Sequence, residues 1–183
     1  TLTVTNALAV PATETLTIYE TGTLATSGTL TVTGNLVLAA ASILDLNGTL
    51  AMNGTFTNTG SGTVDLTGTT LILGSNFDIG GGTLTTSTTD LTMTANATLT
   101  SGAAVAIQTL ILGTDHALTL GSATTDLTVT NVVTFDNASD QIVTGTADLT
   151  LSVAPSFSDG SITSTAGTIT LPSGSTIGGG IIN

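Results

Sequence analysis

The sequence predicts an all-β fold, a three-sided parallel β-solenoid (β-helix) with about 20 residues per coil, about nine coils and no capping helix. Three observations predict it. Short apolar–variable–apolar units recur along the whole chain, their first inward residues fall into three columns at a near-constant step, and glycines between the units keep that same step.

The units come first. Leu2-Thr3-Val4, Leu16-Thr17-Ile18, Leu30-Thr31-Val32, Leu71-Ile72-Leu73, Leu118-Thr119-Leu120 and Leu149-Thr150-Leu151 each alternate in the period-2 pattern of a half-buried strand. Gly, Asn, Asp and Ser separate them, the residues that turn a chain. No stretch shows a 3.6-residue apolar stripe, so helix is not expected.

The columns follow. One reads Leu16, Leu36, Phe56, Phe77, Leu99, Leu118, Ile142, Ile162. A second reads Leu2, Leu24, Leu44, Val64, Leu84, Val105, Leu127, Leu149, Ile169, and a third Leu8, Leu30, Leu50, Leu71, Leu91, Leu110, Val133, Phe157, Ile177. Most steps are 19 to 22 residues, with a few of 23 or 24 toward the C-terminal side. Gly28, Gly48 and Gly68 mark one corner and Gly34, Gly54 and Gly74 the next. Coils stacked about 4.8 Å apart make a rod roughly 40 Å long, in which each coil is stabilised chiefly by its neighbours. A two-sheet sandwich would need strands of five or six residues at spacings of about 8 to 12, longer than the units here. Left-handed hexapeptide helices keep a stricter coil, so the looser coil points to a right-handed one. Residues 1–183 read as a single β-solenoid domain.

Composition narrows function. The chain has no Lys, Arg, Cys or Trp, one His, and 12 acidic residues, for a formal charge of -12. Nucleic acid is not an expected partner, because neutralising phosphates requires Lys or Arg. Binding to anionic lipid is disfavoured for the same reason. Membrane insertion is not expected either: the apolar runs, such as Leu36 to Ala41, fall far short of the about 20 residues a spanning helix needs. Hydrophobic residues nevertheless make up 40% of the chain, enough to bury a core. Trypsin-like proteases would find no cleavage site.

The ends suggest a partner. The chain opens on Thr1-Leu2-Thr3-Val4 and closes on Gly180-Ile181-Ile182-Asn183, strand-like at both termini. Uncovered strand edges are templates for further pairing. Leu2, Val4, Ile177, Ile181 and Ile182 are therefore the expected assembly residues. The expected partner is a copy of the same chain, stacked head to tail into an open filament.

Catalysis is not expected, and no cofactor or metal is called for. Asp115 adjoins His116 in sequence and is badly placed to orient it, so a surface corner is the reading for both. Asp45 and Asp65 should match on neighbouring coils, as should Asp126 and Asp148. Ca²⁺ could relieve such stacked charges, but the Gly-rich, Asp-containing calcium-binding turn is absent, and solvated carboxylates are the better reading. Pectin-cleaving β-helix enzymes rely on Arg or Lys to stabilise developing charge, and this chain has neither. Ice binding would need an unbroken Thr rank. The outward positions of the first column instead run Thr15/Thr17, Asn35/Val37, Thr55/Thr57, Asn76/Asp78, Thr98/Thr100. Asn47, Asn53, Asn96 and Asn137 open N-glycosylation acceptor triplets, so glycan decoration is an expectation for a secreted chain.

Units such as Gly28-Thr29-Leu30-Thr31-Val32-Thr33-Gly34-Asn35 resemble the degenerate repeats of large secreted bacterial surface proteins, the autotransporter passengers and haemagglutinin-like adhesins. The resemblance is compositional and spans essentially the whole chain. It implies a β-solenoid stalk or fibre at the cell surface. The loss of all Lys and Arg, and the lack of a variable head domain, depart from those proteins. The function expected is a structural subunit of an extracellular filament or sheath. A stalk segment of a large cell-surface adhesin is the alternative, and an ice-binding protein the third reading.

Overall fold

The computed structural model describes residues 1–183 apart from Ala123, Ser158 and 178–180. Among these residues the chain forms twenty-five short strands and no helix. Every strand pairing is parallel. The fold is a parallel β-solenoid. Nine strands follow one another in the longest sheet, so about eight turns separate its first rung from its last.

Alternation along each strand builds the core. Thr29–Val32, Asn35–Leu38 and Ile43–Leu46 each bury their second and fourth residues and expose the first. Leu30, Leu36, Leu44 and Leu50 are fully buried, and each stands over an equivalent residue one coil away. Pairing runs Leu2↔Leu24↔Leu44↔Val64↔Leu84 on the second face. On the third it runs Leu8↔Leu30↔Leu50↔Leu71↔Leu91↔Leu110↔Val133.

One predicted step is corrected. Leu99 does not stand against Leu118 but against Leu120, and Leu118 stands against Ala97. The first inward residue of strand Ala97–Thr100 is Ala97, buried at 4% exposure, and a small apolar residue is easily passed over in a column of Leu and Phe. Asn96 fixes this register by accepting the backbone N–H of Ala117 on Oδ1 at 2.8 Å. A shift of two residues keeps the same side chains inward.

The corners remain in the ladder. Asn47 N donates to Thr26 O at 2.8 Å, Thr49 N to Gly28 O at 3.1 Å, and Gly54 N to Val32 O at 2.9 Å. Stacking this close leaves no room for a side chain at four of the six predicted glycines, Gly28, Gly34, Gly48 and Gly54. A Cβ on Gly48 would overlap the Gly28 carbonyl, and one on Gly54 the Gly34 carbonyl. Gly48→Val is expected to lower the unfolding free energy by at least about 2 kcal/mol, the cost of forced overpacking, measured by denaturant titration followed by circular dichroism. Threonine hydroxyls reinforce these corners. Thr69 Oγ1 donates to Leu46 O at 2.6 Å, and Thr33 Oγ1 to Val10 O at 3.0 Å.

Where the glycine beat stops, the strands run on around the corner. Val105–Ile111 and Leu127–Thr134 pass from the second face to the third, with a register shift between Ile107 and Thr109. Val105, Leu127, Leu149 and Ile169 then stack in the predicted order.

Each face is interrupted once. Among the described residues no strand ladder joins Phe56 to Phe77 on the first face, Leu84 to Val105 on the second, or Val133 to Phe157 on the third. At the first of these gaps the rings of Phe56 and Phe77 meet with centroids 4.4 Å apart, and Asn58 Nδ2 donates to Ile79 O at 3.0 Å.

A backbone cost appears at the turns of Thr21, Ala41 and Asp115, all at positive φ. Thr21 has φ of 60°, in the left-handed region that a β-branched residue rarely enters. Thr21→Gly is expected to stabilise the protein by about 1 kcal/mol, seen as a rise in melting temperature by circular dichroism.

Candidate assembly interface

The strands singled out as assembly ends open and close the ladder. Leu2–Val4, Leu8–Val10 and Thr15–Ile18 form the first rung, and each pairs on one side only among the described residues. Ile169–Thr170, Thr176–Ile177 and Ile181–Ile182 form the last rung, again paired on one side. Ile182 is half-buried against the core. Ile177 and Ile181 occupy the last rung by their backbones; their side chains, and Gly180 as a whole, lie outside the described residues.

Leu2 is 56% exposed, whereas Leu24 directly behind it is 2% exposed. Val4, Leu8 and Leu16 are partly buried. Leu2, Leu16, Ile18, Leu24 and Tyr19 line a shallow basin of about 340 Å³. Tyr19, 75% exposed, stands at its edge. The sequence reading named Leu2 and Val4 at this rung but not Leu8, Leu16 or Tyr19. The signal for the two leucines was available, since each heads its own column.

Of the acidic residues, Glu14 and Glu20 flank the first-rung strand Thr15–Ile18, and the other ten lie between Asp45 and Asp159. No strand of the first or last rung carries a charged side chain. Asp45 and Asp65 are direct partners on neighbouring coils, as predicted. Asp65 Oδ1 accepts the Thr67 N–H at 2.9 Å. Asp126 and Asp148 also stack, and each carboxylate holds the backbone of the following coil. Asp126 Oδ1 accepts Asp148 N at 2.9 Å, and Asp148 Oδ1 accepts Thr168 N at 2.6 Å. Asn76 does the same for Thr98 N at 2.8 Å. Part of the like-charge repulsion is thus offset by N–H dipoles.

Asp140 was missed. It is fully buried, with Oδ1 accepting His116 N at 3.3 Å and Oδ2 accepting the N–H groups of Asn137, at 3.0 Å, and Asp136. Its signal was positional. Like Asn96, Asp126 and Asp148, it stands immediately before a strand, here Gln141–Gly145.

Asp115 and His116 lie at the turn before strand Ala117–Leu120, with Asp115 exposed at φ 63°. Among the described residues no group of three or more His, Cys, Asp or Glu is placed to hold a metal ion. The Thr rank on the first face is interrupted in three dimensions as in sequence. Asn35 and Val37 sit between Thr15/Thr17 and Thr55/Thr57. Of the acceptor asparagines, Asn47, Asn53 and Asn96 are exposed and Asn137 is half-buried. Among the described residues no helix is long and apolar enough to cross a membrane.

These features define a parallel β-solenoid repeat protein. No family model, curated protein or solved structure matches the chain.

Proposed function

We propose that this chain is a structural rod of an extracellular filament or sheath, whose copies join head to tail through their terminal rungs. One observation carries the reading. Every pairing is parallel and the coils repeat one apolar cross-section, nine strands deep in the longest sheet, so a further rung of the same sequence pattern continues the ladder in register. An open parallel edge recruits another strand, and a contact that translates along the axis does not close on itself. The extracellular setting rests on the resemblance to autotransporter and haemagglutinin-like stalks and on the lack of any trypsin-type cleavage site.

Electron microscopy of the purified protein at micromolar concentration tests this. Long unbranched threads with an axial repeat near 4.8 Å are the expected result. Isolated rods of about 40 Å would remove the filament reading and favour a stalk segment of a larger adhesin, in which chain rather than a second copy continues each rung. Leu2→Asp places a charge on an exposed apolar edge without touching the core. It is expected to abolish the threads while leaving the circular dichroism spectrum of the rod unchanged.

A further inference from the structure

Two Asn-Gly pairs stand at successive corners of one coil. Asn47-Gly48 joins strands Ile43–Leu46 and Thr49–Met52, and Asn53-Gly54 joins Thr49–Met52 and Thr55–Asn58. An asparagine followed by glycine is open to attack on its carboxamide by the next backbone nitrogen, because no Cβ shields that nitrogen. Both asparagines are exposed, so the fold decides between them through the glycine N–H.

We propose that Asn47-Gly48 is a site of spontaneous self-modification and that Asn53-Gly54 is spared. Gly48 N attacks Asn47 Cγ, the new N–Cγ bond closes a succinimide ring, and the Cγ–Nδ2 bond breaks. Nδ2 leaves as ammonia, taking up through water the proton that Gly48 N gives up. Water then opens the ring. Hydrolysis at Cγ leaves an aspartate, and hydrolysis at the backbone carbonyl leaves an isoaspartate whose main chain runs through Cβ and Cγ.

The ladder separates the two pairs. Gly54 N donates to Val32 O at 2.9 Å, as Gly34 N does to Val10 O at 3.1 Å and Gly74 N to Met52 O at 2.8 Å in the neighbouring coils. Asn53 Oδ1 also lies so close to Gly74 that a Cβ there would overlap it. Gly48 N, by contrast, meets no acceptor among the described residues. In the preceding coil Thr26 Oγ1 accepts Gly28 N at 3.2 Å, but the residue stacked on Thr26 is Leu46, which offers no hydroxyl.

The product disturbs the stack on both sides. Asn47 N donates to Thr26 O at 2.8 Å, and Gly48 O accepts Thr70 N at 3.0 Å, so an added main-chain atom between them shifts one row of bonds against the other. The new carboxylate stands two residues from Asp45, which already stacks on Asp65, with no Lys or Arg to answer it.

Ageing the folded protein in mildly alkaline heavy-oxygen water, which labels each new carboxylate, tests this by mass spectrometry of chymotryptic peptides. Asn47 should react at least about fivefold faster than Asn53, the factor that one hydrogen bond on Gly54 N is worth. In denaturant the two rates should converge. Three results would overturn the assignment: Asn53 keeping pace with Asn47 in folded protein, an Asn47 that reacts only in denaturant, or a gap that persists unchanged in denaturant. Asn47→Ser, which copies the Ser27-Gly28 corner one coil earlier, removes the reacting amide. It should keep its melting temperature on ageing, while the parent falls by roughly 2–8 °C, the loss of one or two ladder bonds. Aged parent protein that melts like fresh protein would overturn the disturbance of the stack.

Discussion

Phe77→Ala is expected to lower the unfolding free energy by about 4 kcal/mol, among the largest losses for any single side chain of this protein. Phe77 is fully buried and sits where the first face lacks a ladder to the preceding coil. Its ring on Phe56 replaces the backbone bonds that join coils elsewhere. Removing it breaks the ring contact across the gap and leaves a cavity that the continuous ladders of the other two faces hold open. A double-mutant cycle with Phe56→Ala should show a coupling of about 1 kcal/mol between the rings. Denaturant unfolding followed by circular dichroism measures both quantities. A Phe77→Ala loss below that of Leu50→Ala, a fully buried residue in an unbroken ladder, would show that the ring contact does not hold this junction.

The second large effect is at Asp140. Asp140→Ala removes the acceptor for three backbone N–H groups, those of His116, Asp136 and Asn137. Donors left unpaired cost about 1 to 3 kcal/mol each where water cannot reach them; Asp136 is exposed and His116 and Asn137 are half-buried, so water and relaxation of the turn recover part of this. A net loss of about 3 kcal/mol is expected, or roughly 6–12 °C in melting temperature. Asp140→Asn should fall between, because its amide offers one acceptor oxygen and turns a second donor toward the N–H groups. A variant Asp140→Ala melting with the parent would show that the carboxylate is not what orders the turn.

The fold was legible because its signal is redundant. Leu30, Leu50 and Leu71 alternate correctly, recur at the coil length, and are bracketed by glycines on the same beat, so each confirms the others. The register slip at Leu99 escaped because Ala97 carries little hydrophobic weight while filling a core position. The interruptions escaped for a different reason. A column of apolar residues records that side chains point inward, not that backbones are close enough to bond, and Phe56 over Phe77 satisfies the first without the second. At the first rung, the strand pattern singled out Leu2 and Val4, but the basin that Leu2 shares with Leu16 and Tyr19 depends on how the faces meet in space. Asp140 was hidden by its type. A carboxylate reads as a solvated group until the backbone donors converging on it are seen.

The three interruptions fall at different heights along the rod: first face, then second, then third. At every level where one ladder is missing, the other two are continuous, as with Leu44↔Val64 and Leu50↔Leu71 beside the gap at Phe56. The arrangement is that of offset joints in masonry. Tension applied along the axis is shared by at least two rows of bonds at each course, and a crack opening at one joint must turn onto another face to advance. A molecular rod built this way tolerates local faults in its sequence without acquiring a plane on which it snaps.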